Sequence, residues 1–193
     1  HAKAQLELGS RYYYPQLSGL VQNYKEAESW FRKAADQGDA EAQNCLGVMY
    51  SQGQGVDQSD TEALKWYKKA AEQGIANAQN NLGLRYLSGN GIVQSDMEGE
   101  SWIRKAAEQG LAEAQVNLGY MYLMGERGVA KSDTEAMKWY KKAAEQGDAS
   151  SQEIIDNFNT VLESEQEWVK SAAELLCRIE FGTIPNKETA LAF

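Results

Sequence analysis

Chemistry in this chain would have to come from very few side chains. The 193 residues include one histidine, His1, and two cysteines, Cys45 and Cys177, far apart in sequence. A zinc site needs three or four convergent ligands, and these residues do not supply a set. A disulfide needs Cα atoms within about 7 Å, which two cysteines this distant are not expected to meet. Ser-x-x-Lys occurs nowhere, so a serine nucleophile paired with lysine in that motif is missing. The pairs Gly53-Gln54-Gly55 and Gly89-Asn90-Gly91 lack the third glycine and the lysine of phosphate-cradling loops. Carboxylates are plentiful, but a chain with 28 Asp and Glu brings some together by chance. The residues point away from catalysis and require no metal and no cofactor.

The informative pattern is repetition. Trp66-Tyr67-Lys68-Lys69-Ala70-Ala71-Glu72-Gln73-Gly74 returns verbatim from Trp139 to Gly147, with variants beginning at Trp30 and Trp102. The tryptophans stand 36, 36 and 37 residues apart. A period of that size marks a solenoid, whose units bury their apolar faces only by stacking on copies of themselves. Two prolines, 42% apolar residues and no alternating β-branched runs make the chain all-α. Four full repeats occupy 1–38, 39–74, 75–110 and 111–147. A degenerate cap follows at 148–182, then a tail or short helix at 183–193.

Each repeat opens with an alanine-rich helix. Ala40, Ala42, Gln43, Leu46, Gly47 and Tyr50 recur at matching places in the other repeats. Their steps of three and four share one helical face, on which glycine and alanine permit close helix approach. A mid-helix glycine costs about 1 kcal/mol against alanine, so it is kept for that approach. A glycine turn follows, and the extra residue in Gly125-Glu126-Arg127-Gly128 accounts for the 37-residue spacing. The first repeat instead has a longer loop with Pro15, Gly19 and Leu20.

The second helix opens at Ser59, Ser95 and Ser132, each followed three residues later by glutamate, and at Asn23 followed by Glu26. That spacing predicts capping boxes, in which each of the two side chains satisfies a backbone donor. Ala63, Trp66, Tyr67, Ala70 and Ala71 predict the buried stripe. Lys65, Lys68 and Lys69 predict a solvent side near the negative end of the helix dipole, and Gly74 ends the helix. After the fourth repeat, Ala149 and Gln152 keep the register, but Asp156 replaces the glycine and Asn159 the tyrosine. Trp168 follows Trp139 by only 29 residues, so the glycine loop and its cap are gone. The segment predicts a capping hairpin whose second helix passes Leu176, at the place of the terminal glycine. It runs to about Phe181, before Gly182 and Pro185.

The pattern Ala-x-Ala-Gln-x-x-Leu-Gly-x-x-Tyr, glycine turn, Ser-Asp-x-Glu-Ala, Trp-Tyr-x-Lys-Ala-Ala-Glu-Gln-Gly resembles the Sel-1-like repeat family of the tetratricopeptide-repeat-like superfamily. The resemblance is dense over residues 2–147 and weak over 148–182. It implies antiparallel helix pairs stacked as an α-solenoid with a right-handed superhelix. It also implies a protein-binding role, commonly in exported or envelope-associated bacterial adaptors or in adaptors of the eukaryotic endoplasmic reticulum. Cysteine-rich members of the family carry a disulfide in each repeat. Here Gln43 and Ala71 stand at the matching places, so the resemblance implies a stack held by packing.

In that superfamily the first helices line the concave surface, and the residues carried over to it differ between repeats. They become more apolar in the third and fourth. The candidate protein-binding residues are Asn44, Val48, Asn80, Leu84, Leu87, Val116, Tyr120, Leu123 and Met124, with Tyr120 as the aromatic anchor. The alternative is that some of them pack against the following repeat. Asn44 and Asn80 hold the same place one repeat apart, where they either bond the backbone of an extended peptide or stay solvated. Arg11 and Arg85 recur two repeats apart and could equally pair with local carboxylates.

A net charge of −9 and a pI near 4.8 argue against nucleic acid or an anionic membrane surface as partner. No run approaches 18 apolar residues, which argues against membrane insertion. The sequence thus reads as a non-catalytic interaction module: an adaptor, regulator or inhibitor that binds a protein or peptide on the concave face. A structural spacer within a longer repeat protein is the alternative, and an enzyme ranks third. The resemblance implies a bacterial periplasmic or secreted setting, with the cytoplasm left open. A start at His1, inside repeat-like sequence, fits a processed exported protein or a piece of a longer chain. Trp66→Ala and Trp102→Ala are each expected to cost about 3–5 kcal/mol as buried tryptophans. An unchanged melting transition in either variant would contradict the repeat assignment.

Overall fold

The computed structural model describes residues 1–14, 16, 19 and 21–180, the last five by backbone alone. Pro15, Leu20, the side chains of Leu176 and Cys177, Phe181, Gly182, Pro185 and the 183–193 tail lie outside the described residues. The chain forms two compact units, His1–Asp148 and Ala149–Phe193.

The first unit is an α-solenoid of helix pairs. Repeat 1 holds α1 (Ala2–Tyr13) and α2 (Tyr24–Ala35), and repeat 2 holds α3 (Ala40–Gln52) and α4 (Asp60–Glu72). Repeat 3 holds α5 (Ala76–Ser88) and α6 (Asp96–Glu108), and repeat 4 holds α7 (Ala112–Met124) and α8 (Asp133–Ala144). Every helix packs on its neighbours in chain order, most closely within a repeat. The mid-helix glycines explain that intimacy. A Cβ at Gly47 would lie 2.5 Å from the Tyr67 ring, and one at Gly9 would lie 2.6 Å from Phe31. In repeat 3 a Cβ at Gly83 would meet Ile103 Cγ1 at 2.6 Å and the Gly99 carbonyl at 2.8 Å. Gly99 in turn leaves room for Leu87, whose Cδ2 would stand 2.5 Å from a Cβ there.

The second helices start where the caps place them, but only half of each expected box forms. The side chains of Ser59, Ser95 and Ser132 accept from the backbone N–H of Glu62, Glu98 and Glu135 at 3.2–3.3 Å. Asn23 accepts from Lys25 and Glu26. The N–H that the glutamate was expected to satisfy is already used. Ser59, Ser95 and Ser132 donate it to the carbonyls of Tyr50, Tyr86 and Tyr122 at 2.9 Å, and Asn23 to that of Tyr12 at 3.1 Å. These bonds close each turn onto the end of the first helix and leave Glu62 and Glu135 to pair with Lys65 and Lys138.

Between repeats, apolar clusters span each junction. Phe31, Leu46, Met49 and Trp66 join repeats 1 and 2, Tyr67, Ala78 and Leu82 join 2 and 3, and Ile103, Leu118, Met121 and Trp139 join 3 and 4. A ladder of buried amides runs beside them. Gln43, Gln79 and Gln115 donate to the carbonyls of Ala35, Ala71 and Ala107 at the end of the preceding repeat. They accept from Gln73, Gln109 and Gln146 at 2.7–2.8 Å. At Gln43 and Ala71 the stack therefore has hydrogen-bonded bracing and not the packing alone that was expected. Lys65, Lys68 and Lys69 are exposed, as expected, and the last-turn lysines also lie over tryptophan rings. Lys33, Lys69, Lys105 and Lys142 lie 3.9–4.3 Å from the ring centroids of Trp30, Trp66, Trp102 and Trp139, within cation–π range.

The repeats also alternate in kind. Repeats 1 and 3 read Glu28-Ser29-Trp30-Phe31-Arg32 and Glu100-Ser101-Trp102-Ile103-Arg104, whereas repeats 2 and 4 read Leu64-Lys65-Trp66-Tyr67-Lys68 and Met137-Lys138-Trp139-Tyr140-Lys141. Trp66 and Trp139 are buried; Trp30 and Trp102 are half-buried. Truncation of Trp66 therefore costs more than truncation of Trp102.

In the second unit, α9 (Ala149–Glu180) is one continuous helix of 32 residues, which replaces the expected capping hairpin. No glycine or proline occurs between Gly147 and Gly182, so nothing in that stretch breaks the helix. Trp168, unlike the buried or half-buried tryptophans of the four repeats, is 72% exposed.

Gly83→Ala is expected to destabilise by about 1–3 kcal/mol, because an added methyl there meets backbone as well as side chain. Gly119→Ala, whose Cβ would stand 3.2 Å from the Tyr140 ring, should stay within about 1 kcal/mol of wild type, since the helix-propensity gain offsets the tight contact. Denaturant midpoints of the two variants check the order.

Candidate functional site

The alternation makes the junctions unlike one another on the first-helix side. At junctions 1/2 and 3/4 the second-helix arginine, held by a glutamate one turn earlier, donates to a tyrosine of the next repeat. Arg32 reaches the Tyr50 hydroxyl at 2.6 Å and Arg104 the Tyr122 hydroxyl at 2.8 Å. At junction 2/3 the arginine comes instead from a first helix: Arg85 on α5 pairs with Asp60 and donates to Ser51 Oγ. Arg85 stands where repeats 2 and 4 have Met49 and Met121. The local-carboxylate alternative thus describes Arg85, and Arg11 likewise pairs with Glu7.

Junctions 1/2 and 3/4 each carry a cleft built from matching positions. The cleft at 3/4 holds about 310 Å³ and is lined by Leu84, Leu87, Ser88, Ile103, Asn117, Tyr120, Met121, Glu126 and Arg127. At 1/2 the cleft shrinks to about 60 Å³ between Tyr13, Tyr14, Phe31, Asn44, Cys45 and Val48. The difference follows from side-chain size: Tyr13 and Tyr14 stand where repeat 3 has Leu87 and Ser88. Their rings pack edge to face at 4.6 Å and the Tyr13 hydroxyl bonds Gln54, so aromatic bulk occupies the space that is open at 3/4.

The sequence-predicted residues divide accordingly. Leu84, Leu87 and Tyr120 meet in the larger cleft, while Asn44 and Val48, both half-buried, line the smaller one. Val116, Leu123 and Met124 share α7 with Tyr120 without lining either cleft. Leu84, Tyr120 and Met124 are exposed by 37%, 49% and 48%. Leu87 instead joins the core cluster of its junction. Asn80 departs from both readings given to it, as it is neither solvated nor open to a peptide. It is 1% exposed, donates to Glu113 Oε1 and accepts from Asn117, each at 3.1 Å. Asn44 accepts from Asn81 at 3.4 Å.

Sequence reasoning missed Arg127, although the lengthened turn that carries it was visible. At the matching turns of repeats 2 and 3, a Cβ on Gly55 or Gly91 would fall 2.5 Å or 2.8 Å from backbone of the preceding repeat. At Gly128 the inserted residue relaxes this distance to 3.7 Å. Arg127 itself takes a left-handed conformation, φ 59°, the one non-glycine residue to do so among the described residues. Its guanidinium donates to the Leu87 carbonyl at 2.8 Å and stands 3.6 Å from Asp96 Oδ1.

Among the described residues, no group of three or more His, Cys, Asp or Glu side chains could hold a metal ion, and no helix is long and apolar enough to cross a membrane. Burial, reinforced by Glu41 and Asp39, pushes the Cys45 thiol up to about 12. Burial likewise raises Tyr13 to about 12, with help from Tyr14 and Tyr24.

The Sel1 repeat family model matches residues 2–39, 40–75, 76–111 and 112–148. The chain belongs to the Sel1 repeat family. No curated protein matches it at a significant level. Among solved structures it is similar to c5321, a protective antigen present in uropathogenic Escherichia coli strains, with 44% identity and a TM-score of 0.71 over 78% of this chain and 32% of that one. A Sel1 repeat protein from Oxalobacter formigenes is 38% identical, with a TM-score of 0.71 over 79% of this chain and 59% of that one. Helicobacter pylori cysteine rich protein B, at 23% identity and a TM-score of 0.55, shares the fold. The chain thus spans about a third of the length of the first of these two proteins and about three fifths of the second. Sel1 repeat proteins are generally protein-interaction modules and typically non-enzymatic scaffolds.

The raised thiol and phenol values set an alkaline limit. Groups that stay protonated in the fold above their unfolded values stabilise it fully below those values, and that stability is lost as pH rises through the folded ones. Denaturant titrations should therefore show stability constant near pH 7–8 and falling between about pH 9 and 12, with less fall in Cys45→Ala. Equal slopes for the two proteins would contradict the burial of Cys45.

Proposed function

We propose that this Sel1 repeat protein is a non-catalytic adaptor, regulator or inhibitor that binds a segment of another protein between α5 and α7. The observation that carries the reading is the 310 Å³ cleft, floored by Ile103, Leu87 and Met121 and rimmed by the exposed Leu84 and Tyr120. An exposed apolar patch with an aromatic anchor is the surface type that protein interfaces use. Leu123, Val116 and Met124 extend the patch along α7, and Asn44 and Val48 offer a shallower secondary contact at junction 1/2. Asn80 serves the groove indirectly, by fixing Asn117 in its wall.

Membership of a family of typically non-enzymatic scaffolds supports a role without catalysis. The acidic surface opposes nucleic acid as partner. Its similarity to bacterial Sel1 proteins, one of them a protective antigen, supports an envelope or secreted setting.

The test is affinity capture from bacterial lysate and culture supernatant with the native protein and with Tyr120→Glu and Leu84→Glu. Captured proteins are then purified and titrated. Both sites are exposed, so circular dichroism should be unchanged. Loss of an anchor residue should weaken a genuine partner by about 30-fold or more, the scale of a 2 kcal/mol hot spot. Equal affinities for native and variant proteins would contradict the groove and favour a structural spacer.

A further inference from the structure

The groove at junction 3/4 differs from its counterpart at 1/2 in charge as well as in volume. The turns of repeats 2 and 3 place neutral Gln54 and Asn90 between their glycines, whereas the turn of repeat 4 places Glu126 and Arg127 there. Arg127 is the inserted residue, and it holds a backbone conformation that β-carbon-bearing residues avoid. Outliers of this kind persist where the surroundings impose them, and they cluster at binding sites. The Leu87 carbonyl at 2.8 Å fixes one arm of the guanidinium at the groove wall. The neighbouring Asp96 Oδ1 forms an ion pair with it at 3.6 Å, beyond hydrogen-bond distance, and accepts no hydrogen bond, so the pair leaves the guanidinium N–H groups unspent on that carboxylate. An arginine fork so oriented keeps donors free for a planar carboxylate, which it binds bidentately.

On the reading that the groove is the binding site, we infer that its ligand is an extended peptide segment in which a large apolar side chain stands next to an aspartate or glutamate. The apolar side chain enters between Leu84 and Tyr120, and the carboxylate meets Arg127. The chain's net charge of −9 works against an acidic ligand at long range, but that field is screened beyond about 8 Å at physiological salt. Contact with Arg127 lies inside that distance. Local complementarity thus selects the ligand, and the surrounding acidic surface rejects acidic segments that lack the apolar anchor.

The probes are fluorescein-labelled, C-terminally amidated peptides Gly-Gly-Xaa-Phe-Gly-Gly with Asp, Asn or Lys at Xaa, read by fluorescence anisotropy on the full chain. A fourth labelled peptide, Gly-Gly-Asn-Phe with a free C-terminus, carries its only peptide carboxylate at the chain end, and the label's own charge is common to all four probes. The Asp peptide should bind about tenfold tighter than the Asn peptide, one charge-assisted hydrogen-bonded contact. Arg127→Gly should abolish that preference while the protein melts within a few degrees of wild type, because glycine adopts φ 59° without strain. Arg127→Lys, which keeps the charge and loses the fork, should retain part of it.

Equal binding of Asp and Asn peptides, preference for Lys, or an Asp preference that survives Arg127→Gly would overturn the inference and leave the groove itself standing. Preference for the free C-terminus over Asp would overturn the internal acidic segment as ligand. No detectable binding of any probe would overturn the ligand chemistry, with the captured proteins still testing the groove. Binding that Tyr120→Glu does not weaken would overturn the groove reading as well.

Discussion

The approach of each first helix to its own second helix is the constraint from which the rest follows. At Gly9, Gly47 and Gly83 a single methyl group would sit 2.5–2.6 Å from Phe31, Tyr67 or Ile103, so these pairs close only with hydrogen at that position. Closure brings the end of the first helix within reach of the second-helix cap, where the tyrosine carbonyls take up the N–H of Ser59, Ser95 and Ser132. The paired repeats then present matching glutamines at both ends, and the amide ladder fixes how one repeat seats on the next. A backbone held this firmly leaves the outward positions of the first helices free to vary.

What varies is arranged in pairs of repeats. The arginine that joins repeats 1 to 2 and 3 to 4 reaches out from a second helix and leaves the first-helix side of those junctions free for a cleft. The arginine that joins 2 to 3 comes from a first helix. Within the two clefts, side-chain bulk decides the outcome: Tyr13 and Tyr14 fill one, whereas Leu87 and Ser88 leave the other open. One framework therefore yields an occupied and an unoccupied version of the same depression, and the open one also acquires the charged pair Glu126 and Arg127 of the lengthened turn.

The elements that recur were legible in the sequence, since recurrence reports what the stack demands of every copy. Helix positions, cap serines, turn glycines and the Trp-Tyr-Ala stripe are of this kind. Features set by tertiary context were not legible. The second half of the capping box failed because Tyr50 and its equivalents supply a better-placed acceptor. Asn80 looked like a surface asparagine because its partners, Glu113 and Asn117, lie a full repeat away. The expected hairpin after the fourth repeat rested on the fading of the repeat pattern, and the absence of any glycine or proline before Gly182 gave the better signal. Arg127 registered only as a change in spacing, since its left-handed backbone and its bond to Leu87 exist only in the folded chain.

The chain carries its own probes of where a ligand sits, in five methionines that fall on different surfaces. Met121 lines the larger cleft and Met124 borders it on α7, Met49 occupies the matching core place at junction 1/2, and Met97 is exposed near the start of α6. Carbon-13 methyl spectra of methionine-labelled protein, recorded while a captured partner is titrated in, test the account most directly. Saturable shifts of Met121 and Met124, with Met49 and Met97 unmoved, are the predicted result. Shifts confined to Met97 or Met49, with Met121 unmoved at saturation, would place the partner elsewhere and contradict the account.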